Sequence, residues 1–298
     1  MKVSSSQFYD RASTAMGRLQ SQSDTLFTQI STKKRLAAPS DDSAAYSQLR
    51  GIARDTANAK VDGTNLDVAA SVLAQADTTL SSIASQIQAA SEAAIRARNG
   101  VNDPTSFAAI AAQIDAIRDQ LVSLGNTTDL RGQPLFGGAD GGAAVTKNAD
   151  GTYTYASTTP SAIPTGNGQS VQPSENATRI FKQGAGDLLT TLDTLSAALR
   201  AGGTGMDAAA ATAVTELQAA GTQALTIQAS LGARASRVEL EQNALTQNGV
   251  DREAARSALE DTDVAAAITE LQKTMTVLSA TQASFSKLQG LSLFDYLR

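Results

Sequence analysis

Apolar residues near the start of the chain recur in steps of four and three. They fall at Phe8, Ala12, Ala15, Leu19 and Leu26, and Ile30 extends the face. The spacing predicts a helix with a heptad seam, broken once by Gln22. The run RLAAPSDD, residues 35–42, ends or kinks this helix at Pro39 and offers Ser40 or Asp41 as a cap for the next. A second helix is predicted over residues 44–98 by the most regular series in the chain. Its positions are Leu66, Ala69, Leu73, Ala76, Leu80, Ile83, Ile87, Ala90 and Ala94. Four of these nine are alanine, so a partner helix must approach closely. Asn99-Gly100 stops this helix and Asp103-Pro104 opens another, with Phe107, Ile110, Ile114, Ile117, Leu121 and Leu124 on its face.

Composition changes near Gly125, where glycine, threonine and proline take over. Residues 144–147 and 152–155 read as two strands around an Asp-Gly turn. Ile163, Val171, Ile180 and Phe181 suggest further strands, within a β-rich insertion over residues 134–181. Helix returns over 185–200 and again over about 208–289, where Asn248-Gly249 marks either an interruption or a local irregularity. A second sharp seam runs through Val264, Ile268, Leu271, Met275, Leu278, Gln282 and Phe285, and Leu288, Leu291, Leu293 and Leu297 add an apolar cluster.

The expected fold is mainly α with a small β-rich insertion: a long antiparallel helical bundle or coiled-coil rod formed by the N- and C-terminal segments. Residues 41–133 and 182–264 would form the helical rod domain, and 134–181 a small outer domain. Residues 1–40 and 265–298 would be terminal helices for assembly. These ends carry too little bulk for a stable core alone, and are expected to be disordered in an isolated monomer. They could pair with each other, with neighbouring subunits, or with both.

Composition narrows the chemistry. The 298 residues include 24 basic and 29 acidic side chains, which argues against a nucleic-acid partner. With neither cysteine nor histidine, no thiol nucleophile, Ser-His-Asp triad or HExxH site can exist. No apolar run reaches membrane-spanning length, and none at the start reads as a cleaved signal peptide. Asp41 and Asp42 point about 100° apart on a helix, so they read as caps rather than a catalytic carboxylate pair. Lys33, Lys34 and Arg35 read as a solvated basic run or a contact for an acidic surface. Glu260, Asp261 and Asp263 lack the spacing of a cation-binding loop. The run GGADGG lacks the Lys-Ser/Thr ending of a phosphate loop. Asn126-Thr-Thr and Asn176-Ala-Thr match glycosylation sequons and are read as incidental. No cofactor or metal is expected, and no enzyme.

The motifs, taken together and in order, resemble the flagellin-like family of bacterial flagella. Residues 31–49, STKKRLAAPSDDSAAYSQL, resemble its N-terminal signature through Arg35, Pro39, Ser40, Asp41 and Asp42. RARNG, ending at Asn99 and Gly100, resembles its first helix end. Residues 126–138 resemble its transition into the outer domain. Leu231, Gly232 and Arg234 match an LG-x-R element, Asp261 and Asp263 an acidic element, and LSLFDYLR the terminal pattern. STKKR and AAPSDD place the chain nearer the hook–filament junction members than flagellin, which is the alternative. Ser43 departs from that pattern, because proline is common there.

The resemblance implies a structural subunit of a thin ring made with itself and adjoining hook-associated proteins. It also implies export without a cleaved signal peptide to an extracellular position on the flagellum, and a dedicated chaperone near the C-terminus. Limited proteolysis of purified monomer should trim residues 1–35 and 265–298 and spare the middle. Protease-resistant ends would contradict the expected disorder.

Overall fold

The computed structural model describes residues 2–99, 103–184, 186–203 and 205–294, with side chains described at residue 7 and over 9–287 within those ranges. The chain divides into two compact units. One comprises Met1–Asn58 with Gln247–Arg298, the other Ala59–Thr246. Helices α1 (Lys2–Thr32), α2 (Ser43–Asn99) and α3 (Pro104–Gly125) come first. Two hairpins follow, β1 (Val145–Lys147) with β2 (Tyr153–Tyr155), and β3 (Ile163–Gly166) with β4 (Gln169–Val171). After them come α4 (Ala177–Phe181), the short pair β5 (Lys182–Gln183) and β6 (Gly186–Asp187), and helices α5 (Leu188–Ala201), α6 (Gly205–Glu260) and α7 (Val264–Phe294). A mainly α fold with a small β insertion is what the periodicity predicts.

Within the central unit, α2 and α6 run antiparallel. Gln242 donates to Asp67 at 2.9 Å. A Cβ at Gly63 would stand 3.3 Å from Leu245, and one at Gly221 would stand 4.0 Å from Ile87. All nine residues of the regular α2 series are at most 2% exposed. Their core partners include Leu217, Ala220, Ile227, Leu231 and Val238 of α6. Burying each leucine or isoleucine contributes roughly 1.5–3 kcal/mol, so this alternation of large and small residues makes a substantial core. Asp103 caps α3, accepting from Thr105 N–H at 3.1 Å, with Pro104 in the first turn.

The insertion departs from expectation in several places. Ile180 and Phe181 lie in α4 rather than in a strand, because Asn176 caps that helix by accepting from Arg179 N–H at 2.9 Å. The next long helix starts at Leu188 rather than Ala185, capped by Asp187 accepting from Thr190 N–H at 3.1 Å. Tyr155 donates its hydroxyl to the same Asp187 at 2.6 Å. Burial pushes the Tyr155 phenol up, and the neighbouring carboxylate pushes it further. Both sequon asparagines are structural. Asn126 bonds both ways with the Val145 backbone, at 2.8 and 3.0 Å, and Asn176 is the α4 cap.

The long C-terminal helix also differs. Asn248-Gly249 does not interrupt α6, which continues to Glu260; the break comes at residues 261–263. A helical glycine costs about 1 kcal/mol but keeps its backbone bonds, so the helix passes through it.

The paired glycines at Gly137 and Gly138 are required by close backbone approach. A Cβ on Gly137 would lie 2.5 Å from the Gly142 carbonyl oxygen. One on Gly138, where φ is +70°, would lie 2.5 Å from the Thr158 carbonyl oxygen. Gly138→Ala should therefore destabilise the central unit by about 1–3 kcal/mol, read as a lower urea midpoint.

Candidate assembly surface

The terminal unit is held by two contacts: a helix pair and a clasp between chain breaks. Helices α1 and α7 pack antiparallel. Tyr9 meets Phe285 edge-on at 5.5 Å, while Thr262 N–H bonds the Lys33 carbonyl at 3.0 Å at the other end. The half-buried face of α1 runs through Ala12, Met16, Leu19, Ser23, Leu26 and Ile30. On α7 the covered face runs through Val264, Ala267, Leu271, Thr274, Leu278, Thr281 and Phe285.

These faces share every seventh residue with the seams read from sequence, and differ between them. Ala15 and Gln22 are exposed, and Met16 and Ser23 take the inner places. Ile268, Met275 and Gln282 are exposed likewise, replaced inside by Ala267, Thr274 and Thr281. Small residues on the inner face allow a close approach, which leaves bulkier ones outside. Ile268 (40% exposed) and Met275 (54%) thus stand together on one flank of α7, Val277 (45%) on the opposite flank, and Phe27 (66%) on α1. Gly100 and Leu297, and the side chains of Phe8, Leu288, Leu291 and Leu293, lie outside the described residues.

The clasp is built from the basic run and the acidic cluster. Lys33 takes a left-handed conformation, φ 59°, which turns the chain out of α1. Arg35 N–H then donates to the Glu260 carbonyl at 2.7 Å, and its guanidinium to the Leu259 carbonyl at 3.0 Å. Lys34 pairs with Asp261 as an antiparallel bridge and through its ammonium with Glu260, which Arg256 also holds at 2.8 Å. The basic run is thus a tie to the C-terminal break rather than only a solvated face.

The caps complete this arrangement. Asp41 accepts from the Ala37 and Ala38 N–H groups, both at 2.9 Å, and folds the loop that carries Pro39 and Ser40. Asp42, not Ser40 or Asp41, caps α2, accepting from Ala45 N–H at 2.9 Å. Asp263 caps α7 through Ala266 N–H at 3.0 Å, and Asp261 accepts from the Ser257 hydroxyl. Donation from Ala38 and Ala37 holds the Asp41 carboxyl below the usual aspartate range, against a small burial effect and with help from Ser40.

The remaining signature residues belong to the central unit. Asn99 is the last residue of α2. Leu231 is in the core, and Arg234 donates to the Gln172 and Ser174 carbonyls at 3.1 and 3.2 Å and pairs with Glu175, tying the end of β4 to α6. Gly232 faces open space. Among the described residues, no group of His, Cys, Asp and Glu could hold a metal ion. No described helix is long and apolar enough to cross a membrane.

These features define a helical protein whose terminal helices pair with each other. The model of the bacterial flagellin N-terminal helical region matches residues 3–140, and that of the C-terminal helical region matches residues 208–297. The chain belongs to the flagellin-like family. It is 27% identical to the flagellar hook-associated protein 3 of Salmonella typhimurium, over the full length of both. A flagellar hook-associated protein from Vibrio parahaemolyticus superposes with a TM-score of 0.70 at 19% identity, over 74% of this chain and 100% of that one. The flagellar junction protein FlgL from Legionella pneumophila superposes with a TM-score of 0.59 at 15% identity, over 72% of this chain and 100% of that one. At those identities the two structures speak for the fold.

Two outcomes are expected at the clasp. Asp42→Ala should cost about 1 kcal/mol of helix stability, read as lost helicity and faster amide exchange at Ala45. The Asp41 value is lowered on folding, so its stabilisation is complete above the ordinary aspartate value and is lost as pH falls through the folded-state value. Protection of the Ala37 and Ala38 amides should fall over that acidic range, and Asp41→Asn should abolish the dependence.

Proposed function

We infer that the chain is a structural subunit of the bacterial flagellum, forming the junction between hook and filament. The observation that carries this is the full-length match to a hook-associated protein 3, joined to a terminal unit with an outer apolar row. Subunits join in a ring, with their own copies and with adjoining hook-associated proteins. The residues of the two terminal seams supply the contacts. Ile268 and Met275 share one flank of α7 and are too apolar to favour solvent, and a helix of a neighbouring subunit would cover them.

Gly232 supports the same reading. Glycine in a helix interior costs roughly 0.5–1 kcal/mol, and no atom lies within 4 Å of where its Cβ would be. Among the described residues nothing requires that glycine, and its open side leaves room for a helix of a neighbouring subunit. The ends are disordered before assembly and order when neighbours complete the packing. During export to the extracellular flagellum a dedicated chaperone covers the C-terminal region, where Leu288, Leu291, Leu293 and Leu297 follow the exposed row of α7. Substrate chemistry has no place in this role, and the chain acts by packing alone.

The test is seeded assembly. Purified chain added to isolated hooks should deposit a limited layer at the hook end and then stop. Long filaments grown from this chain alone would instead assign it to the filament proper. Met275→Asp, which puts charge in the exposed row, should block deposition while leaving the urea midpoint of the central unit unchanged.

A further inference from the structure

The chain contains three Asn-Gly steps, at 99–100, 167–168 and 248–249. In each the following glycine offers an unhindered backbone nitrogen beside an asparagine amide. Only Asn167-Gly168 and Asn248-Gly249 lie wholly within the described residues, and the fold treats them oppositely.

Asn248-Gly249 lies in the interior of α6, more than two turns from its end. There the glycine N–H is held in the helical bonding pattern, and the asparagine backbone is locked in the right-handed conformation. Asn167-Gly168 is the two-residue turn between β3 and β4. Both residues have positive φ, 50° and 73°, and both are exposed. The strand pairing runs through Ile163 with Val171, Pro164 with Ser170 and Gly166 with Gln169, so the Gly168 N–H lies outside it. Outside the strand pairing, this exposed turn is held by fewer bonds than the interior of a helix and can reach the conformation needed for attack.

We propose that Asn167 is a site of spontaneous self-modification, at which the side-chain amide is converted to a carboxylate while the folded chain protects Asn248. The Gly168 nitrogen attacks the Asn167 amide carbon, forming the N–C bond of a five-membered imide. The C–N bond to the side-chain nitrogen breaks, and that nitrogen leaves as ammonia with the proton lost by Gly168. Water then opens the imide at either carbonyl, giving aspartate or isoaspartate. The step needs only water and no oxidant or reductant.

The product has a local consequence. The hairpin tip sits against α2: a Cβ on Gly166 would lie 2.6 Å from an Asp62 carboxylate oxygen. A new carboxylate at position 167 therefore arises one residue from the point where the hairpin meets an existing one. An isoaspartate link also lengthens a two-residue turn whose geometry sets the strand register. Modification loosens the β3–β4 hairpin from α2.

The experiment incubates the intact chain at mildly alkaline pH and follows both peptides by mass spectrometry with isoaspartate detection. A parallel sample is kept in urea. In the folded chain the peptide with Asn167 should gain carboxylate at least about tenfold faster than the peptide with Asn248, which must wait for α6 to open locally. In urea the two rates should converge. Equal rates in the folded chain would overturn the proposal, as would an Asn167 that converts in urea but not when folded. Asn167→Asp gives the looser hairpin directly: amide exchange over residues 163–171 should rise while residues 217–231 stay protected. Unchanged exchange in that variant would overturn the consequence drawn for the hairpin.

Discussion

Among its described residues the terminal unit has almost no core, and the proposed role rests on this constraint. Among its described residues only Leu36, Ala45 and Ala267 count as buried apolar side chains. The central unit buries a continuous series from Leu66 to Val238. Alanine and threonine bury little apolar area, so a seam in which Ala267, Thr274 and Thr281 alternate with Leu271, Leu278 and Phe285 gains less than one packed on leucines throughout. Ordering a residue costs about 1–2 kcal/mol of backbone entropy. On the reading proposed above, a pair of 31-residue helices with so thin a seam is completed from outside, through the apolar side chains left exposed.

The clasp limits how the two ends can order. It ties the break after α1 to the break before α7 through backbone bonds at Lys33, Arg35, Glu260 and Thr262, with Lys34, Glu260 and Arg256 adding charge pairs. Surface pairs of this kind add little energy, and their value lies in fixing position. With the breaks joined, the start of α7 is held beside the end of α1, which favours their antiparallel pairing. The aspartates at 41, 42, 261 and 263 carry out capping and loop-folding here, which gives the paired acids at both breaks a structural role.

Much of this was legible in the sequence, with informative exceptions. The long α2 series was read correctly because each of its positions lies inward and the period never changes. The terminal seams were legible only at every seventh residue. Between those anchors two neighbouring residues compete for the inner place, and apolar bulk is a poor guide to the winner. Ile268 and Met275 look more like core than Ala267 and Thr274, yet close packing of α1 against α7 selects the smaller pair. The same physics that hides the inner seam from a hydrophobic pattern creates the outer row. Turn chemistry supplied the other exceptions. Asn167-Gly168 is a strong hairpin signal between two short strands, whereas the identical dipeptide at 248 is absorbed by a helix with turns on both sides. Local sequence could not distinguish them, because the difference lies in what the flanking residues bury.

The central claim is that the terminal helices are completed by neighbours, and amide hydrogen exchange on the free and the hook-assembled chain tests it most directly. In the free chain α1 and α7 should exchange within the first labelling times while α2 residues 66–94 stay protected. In the assembled chain α1 and α7 should become protected, with little change in the central unit. Equal and strong protection of α1 and α7 in the free chain would show that the pair stands by itself, and would contradict the account.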